Sequence, residues 1–170
     1  IDMATIVASG IVETSDCAGV VSGLPPQPAP LVYVRTTPLT EPSQAMCDLA
    51  ETVEAETELS RLHCLSALVR DKIAYRSGAT RADTSAIEAY ELGAGVCQDH
   101  THIFIAMARH LGVPARYISG YLMADLEQGA LHETHAWAEC WVRDLGWVGF
   151  DVSNGLCVTD HYIRLTSGLD

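Results

Sequence analysis

The run GAGVCQDHTHIFIAMARHLGVPARYISGYL, residues 93–122, constrains the fold more than any other part of the chain. A glycine-rich turn, Gly93-Ala94-Gly95, leads into a helix-periodic segment over 96–110, with Ile103, Phe104, Met107, Ala108 and Leu111 on one side. Gly112 and Pro114 end it, because glycine accepts the left-handed turn after a helix and proline cannot continue the ladder. Residues 113–122 then read as a strand. A helix this apolar must bury its face against another layer.

The flanking segments supply both layers. Upstream, Thr40 or Ser43 can cap a helix bearing Met46, Leu49, Ala50 and Val53 at three- and four-residue spacings. Leu59, Leu62, Leu65, Leu68, Val69 and Ile73 form a second stripe, and Glu51, Glu54, Glu56 and Glu58 between the two read as a solvated face or turn. A short helix over 85–92, capped by Thr84 or Ser85, ends at Gly93. Downstream, ADLEQGALHET (124–134) reads as a polar loop. Residues 135–142 alternate, and 146–152 form a second short strand across a hairpin-like connection at Arg143-Asp144-Leu145-Gly146. Helices first and an antiparallel sheet after them make an α+β layout.

Residues 1–37 differ. Short β-like runs over 6–11 and 31–36 surround GLPPQPAP, where Pro25, Pro26, Pro28 and Pro30 exclude a central strand or a helix. This part reads as an extended arm or the tail of a preceding domain, with the core at 38–170. The chain lacks an initiator Met and a basic, apolar leader, which suggests a processed or excised piece.

At 170 residues the chain fits one domain. No stretch approaches the roughly 20 apolar residues that span a bilayer. Its net charge of −12 disfavours nucleic acid and anionic membranes as partners, both of which need cationic surfaces. Six cysteines (Cys17, Cys47, Cys64, Cys97, Cys140 and Cys157) include no CxxC pair. Cys47, Cys64 and Cys140 sit in apolar-periodic runs, as small buried hydrophobes do. That usage points to a reducing compartment, the cytoplasm. Nothing in the sequence calls for a cofactor or indicates an oligomeric state.

One cysteine stands apart. Cys97 opens the central helix, where unpaired N–H groups and the helix dipole stabilise a thiolate and can receive an oxyanion. His135, at the head of an alternating strand, is the candidate general base, and Asp151, at the end of the next, the group that orients it. Gln98 and Trp137 are candidates for the substrate or oxyanion region. Alternation poses a difficulty: it puts His135 on the same face as Trp137, Glu139 and Trp141, while the small Ala136, Ala138 and Cys140 face the helices. His135 can then meet Cys97 only at a strand edge or a bulge. A metal site built from Cys97, Asp99, His100, His102, His132 and His135 is the rival, but its spacing matches no closed zinc motif. His100 and His102 read instead as pocket-edge or capping residues, and the tryptophans as packing.

The segments GVCQDHTHIFIAMARHLGVPARYISGYL and HETHAWAECWVRDLGWVGFDVSNGLCVTDHYIRLTSG closely resemble the bacterial branch of the transglutaminase-like superfamily, papain-related enzymes often described as cysteine proteases. The resemblance covers at least 91–168 and extends into PLVYVRTTPLTEPSQAMCDLAETV. It implies a papain-like core, with the nucleophile at Cys97, the histidine at His135 in THAW and the third member at Asp151 in GWVGFD. It also implies that residues 1–37 are the remnant of a small β-rich domain and that the natural chain continues further. The family's proline after the aspartate is Val152 here, which should alter that turn slightly.

The implied activity is hydrolysis of an amide or peptide bond through a thioester, on a peptide, protein or small amide substrate. Transfer to an amine is the alternative chemistry, and a non-catalytic binding module on the same fold the alternative class. All three tryptophans lie after His135 and no EF-hand-type loop is present, which argues against a calcium-dependent crosslinking enzyme.

Overall fold

Three hydroxyl side chains set where the first helices begin. Ser43 accepts from the Met46 N–H at 3.4 Å and starts α1 (Gln44–Glu51). Thr57 accepts from the Ser60 N–H and starts α2 (Glu58–Lys72). Ser85 and Glu88 close a reciprocal capping box on α3 (Ala86–Leu92), which stops at Gly93 in the left-handed conformation. The apolar stripes turn inward as the spacing predicts: Met46, Ala50, Leu62, Leu65, Val69 and Ala89 are all buried. Each leucine so buried stabilises the fold by about 2 kcal/mol.

The computed structural model describes residues 10–24, 28–123 and 132–170. At its centre lies α4 (Cys97–His110), buried on every side from Asp99 to Arg109. The other three helices pack on α4 from one side and the sheet from the other. The sheet comprises β1 (Val20–Val21), β4 (Ala115–Met123), β5 (His132–Val142), β6 (Gly146–Asp151), β7 (Leu156–Cys157) and β8 (Tyr162–Gly168). Its order is β1-β6-β5-β4-β8, with β7 also on β6, and every pairing is antiparallel. Two short parallel strands, β2 (Ala74–Tyr75) and β3 (Ala94–Gly95), lead into α4. This is the α+β core that the periodicities and the resemblance both imply.

The two sheet faces carry different chemistry. Ala138, Cys140 and Val142 of β5 join Phe104, Met107 and Phe150 in the main core under α4, where small side chains leave room for the helix. Ile118, Trp137 and Tyr162 form a second cluster on the opposite face. There Glu139 lies between two arginines, 2.6 Å from Arg116 Nη2 and 2.9 Å from Arg164 Nε. Arg116 also lies over the Trp147 ring at 3.9 Å.

Several expectations are corrected. Residues 31–36 are not a strand; a 3-10 helix (Pro30–Val34) stands there because Pro30, at its first turn, fixes a helix-compatible φ. Residues 132–134 belong to β5 rather than to a loop, since nine successive pairings with β4 outweigh their polarity. Cys64 is exposed, on the outer side of α2. The expected runs and loop at 1–9, 25–27 and 124–131 lie outside the described residues.

Candidate functional site: a cysteine, a histidine and a buried aspartate

The turn before α4 is built around an aspartate. Asp99 Oδ2 accepts from the Val96 N–H at 2.7 Å and from Thr80 Oγ1 at 2.6 Å. Val96, at the N-cap, offers no oxygen, so Asp99 does the capping from inside the first turn. Gly95 makes room for it: a Cβ there would lie 2.5 Å from Asp99 Cβ. Cys97 is thereby fixed as the first helical residue, half-buried, and its carbonyl accepts from Thr101 Oγ1 at 2.8 Å. The backbone N–H groups of Cys97 and Gln98 have no carbonyl of their own helix to bind.

β6 pairs with β5 only as far as Phe150 opposite Ala138. Beyond that point β5 has a free edge on the β6 side, and His135 stands on it. The facing difficulty is resolved there. His135 Nε2 lies 2.6 Å from Asp151 Oδ2, and Cys97 is the other side chain that interacts with the ring. The structure therefore brings together the three side chains that the sequence singled out.

Asp151 is completely buried at the end of β6 and is surrounded by donors. Oδ2 also receives Asn154 Nδ2 and Tyr162 Oη, each at 2.7 Å; Oδ1 receives Ser153 Oγ at 2.8 Å and the Asn154 N–H at 3.1 Å. Burial alone would raise its pKa. The hydrogen bonds and charge of His135, with Tyr162 and Asn154, outweigh burial and hold it down at about 2. Burial likewise pulls His135 down, but its hydrogen bonds to Asp151 and Cys97 and their charges lift it to about 9. A buried carboxylate thus stabilises the charged form of the imidazole ring.

The other candidates fall elsewhere. Gln98 donates its side-chain amide to the Ala82 carbonyl at 3.0 Å, latching the 76–85 segment to α4. Trp137 is 1% exposed and stacks beside His135 with centroids 6.5 Å apart, supporting the ring from within the second cluster. His100 and His102 are interior rather than at a pocket edge. Both His100 ring nitrogens face carbonyls, of Val96 and Ile73, and His102 packs on Tyr117 with burial holding its pKa at about 4. Among the described residues no three His, Cys, Asp or Glu side chains converge as a metal-binding group.

Ser153, Asn154 and Tyr162 escaped the sequence reading. An Asp-x-x-Asn-Gly run is a local signal for a side chain closing a turn onto Asp151. Tyr162 carries no such signal, because sheet curvature alone brings it across from β8.

A helix-borne thiol facing a histidine–aspartate pair on antiparallel strands defines a papain-like core. The chain belongs to the transglutaminase-like superfamily, whose family model matches residues 48–152. Among curated relatives, the uncharacterised protein ML0607 of Mycobacterium leprae is 36% identical over 105 residues, covering 59% of this chain and 37% of that protein. Mb2599c of Mycobacterium bovis is 35% identical over 118 residues, covering 64% and 38% respectively. A candidate cysteine protease from Cytophaga hutchinsonii superposes with a TM-score of 0.72 at 24% identity, over 90% of this chain and 51% of that one. The periplasmic domain of TgpA from Pseudomonas aeruginosa gives 0.58 at 17% identity, over 74% and 47%. The chain therefore spans under two fifths of these mycobacterial relatives and about half of each solved chain.

The likeness to TgpA corrects the cytoplasmic placement, since that structure is of a periplasmic domain. The inference from cysteine usage was too weak to decide this: all six cysteines are free thiols, and free thiols by themselves do not specify a compartment. Among the described residues no helix is long and apolar enough to cross a membrane.

Proposed function

We propose that this chain carries the catalytic core of a cysteine-dependent hydrolase of amide or peptide bonds. In the proposed reaction Cys97 gives its proton to His135 Nδ1, and the sulfur attacks the substrate carbonyl carbon. The carbonyl electron pair moves onto oxygen, and the backbone N–H groups of Cys97 and Gln98 receive the oxyanion. Collapse expels the amine, which takes the proton from His135, and leaves a thioester on Cys97. Water then attacks, with His135 as its base, and releases the acid and the thiol. Asp151 orients the ring and stabilises its charged form throughout.

The observation that carries this reading is the placement of His135, whose Nε2 lies 2.6 Å from Asp151 Oδ2 while the Cys97 side chain is the ring's other interacting neighbour. Peptide or protein substrates are favoured by the fold and by the description of the Cytophaga relative. We place the core at 38–170 and the arm, or remnant of a preceding β-rich domain, at 1–37. The TgpA domain favours a location outside the cytoplasm.

Iodoacetamide labelling followed by mass spectrometry tests the reading, with the exposed Cys17 and Cys64 as internal controls. Cys97 should react at least about tenfold faster than either at neutral pH, and His135→Ala should remove the advantage. Equal rates in the native chain would sink the enzyme reading and leave a binding module. A peptide library screened with and without a primary amine then separates hydrolysis from transamidation.

A further inference from the structure

Tyr162 opens β8, which the sheet order separates from β6 by both β5 and β4. Its phenol nevertheless donates to Asp151 Oδ2 at 2.7 Å. The ring is buried, edge-on to Trp137 at 5.4 Å between centroids and tilted against His135 at 6.1 Å. Tyr162 therefore contacts both members of the histidine–aspartate pair.

The oxygen it chooses matters. Oδ2 is the same atom that His135 Nε2 faces, so the phenol and the imidazole compete for one concentration of negative charge. Asn154 Nδ2 takes a share of that oxygen, while Ser153 Oγ and the Asn154 N–H hold Oδ1. Those last contacts fix the carboxylate's orientation with or without Tyr162. The phenol's particular effect is electrostatic: a strong donor on Oδ2 weakens the hold of Asp151 on a protonated ring. A ring held too firmly as imidazolium is a poor acid toward a leaving amine and a poor base toward water.

We propose that Tyr162 is a positioning residue of the site, sharing Asp151 Oδ2 with His135 and limiting how much of the carboxylate's charge the imidazole receives. The proposal rests on the reading of Cys97, His135 and Asp151 as the reacting set. The groups facing the pair are Cys97 from α4, Ser153 and Asn154 from the turn after β6, and Tyr162 from β8.

The test is the titration of the His135 ring by NMR, with Cys97→Ser removing the coupled thiol. Tyr162→Phe keeps the ring packing and deletes only the donor, and should move the midpoint upward by about half a pH unit. Site-specific 3-fluorotyrosine at the same position is a stronger donor and should move it downward. In the Cys97 protein, Tyr162→Phe should lower kcat about tenfold with KM unchanged. If the midpoint stays fixed in both variants, Tyr162 only packs and the proposal is overturned, whatever happens to activity. The fluorinated protein retains the whole side chain, so a Phe variant that fails to fold leaves the question decidable. If the midpoint moves in both directions but no Cys97-dependent hydrolysis is found, the enzyme reading fails and the coupling stands.

Discussion

Asp151 accepts five hydrogen bonds, and that environment controls the charge state of His135. Replacing it with asparagine would present an N–H donor to Nε2 and favour the wrong tautomer, so Asp151→Asn should slow any Cys97-dependent turnover on the order of a thousandfold. Steady-state hydrolysis of a peptide identified in the library screen measures this. The pair also links pH to stability. His135 rises from 6.5 to about 9 on folding, so its contribution is fully present below 6.5 and is lost as pH climbs through 9. Asp151 falls from 3.8 to about 2, so its contribution is present above 3.8 and is lost as pH drops toward 2. Thermal unfolding should therefore show this stabilisation between those limits. A His135→Phe protein should lack the decline in Tm that the native chain shows between pH 6.5 and 9; the same decline in both would disprove the linkage.

At the scale of elements, two close approaches place the site. The first is the α4 N-terminus, where Asp99 satisfies Val96 and Thr80. Asp99→Ala removes the cap and leaves two donors unmet, which should cost about 2 kcal/mol in urea unfolding. It should also free the 76–81 segment, read out as faster amide exchange there. The second is Gly120 on β4, directly opposite His135. A Cβ at Gly120 would overlap the Ile163 carbonyl oxygen and sit 2.6 Å from Trp137 Cη2. Backbone cannot yield as a side chain can, so Gly120→Ala should destabilise by roughly 3 kcal/mol. Displacing Trp137 should also slow iodoacetamide labelling of Cys97; native labelling in a stably folded variant would contradict this. The caps, each narrowed to two candidates that included Ser43 and Ser85, the stripes of α1 and α2 and the stop at Gly93 were legible, because caps and periodicity are written within a few residues. The 3-10 helix at Pro30 and the early start of β5 were not. Local turn preference decided the first and pairing with β4 the second.

Across the whole molecule, Arg109 ties distant segments to the central helix. Buried in α4, it donates to the carbonyls of Tyr33, Ala115 and Leu169 and to Thr40 Oγ1 at 2.7 to 3.0 Å. Burial lowers its pKa to about 10, still well above neutrality, so the guanidinium stays charged and its donors stay engaged. Arg109→Ala removes a charged donor from four buried or half-buried acceptors and should cost about 3 kcal/mol or more. Limited proteolysis should then cut first near 33–40 and at the C-terminal end; an unchanged digestion pattern would refute that role. No periodicity announces this residue, since on a helical wheel it is simply a basic group in the last turn.

The sequence by itself determined that helices come first and an antiparallel sheet follows, the apolar stripes of α1 and α2, and the three chemically distinctive positions Cys97, His135 and Asp151. Those follow from short-range rules of capping, spacing and breaking, together with the family resemblance that singled out the three positions. The tertiary structure decided what those positions share. Strand register left His135 on an open edge of β5, which resolved the conflict that alternation created. Sheet curvature brought Tyr162 across two intervening strands to Asp151, and backbone carbonyls turned His100 away from any ligand role. Each of these depends on which residues meet across the fold, and a one-dimensional pattern does not encode that.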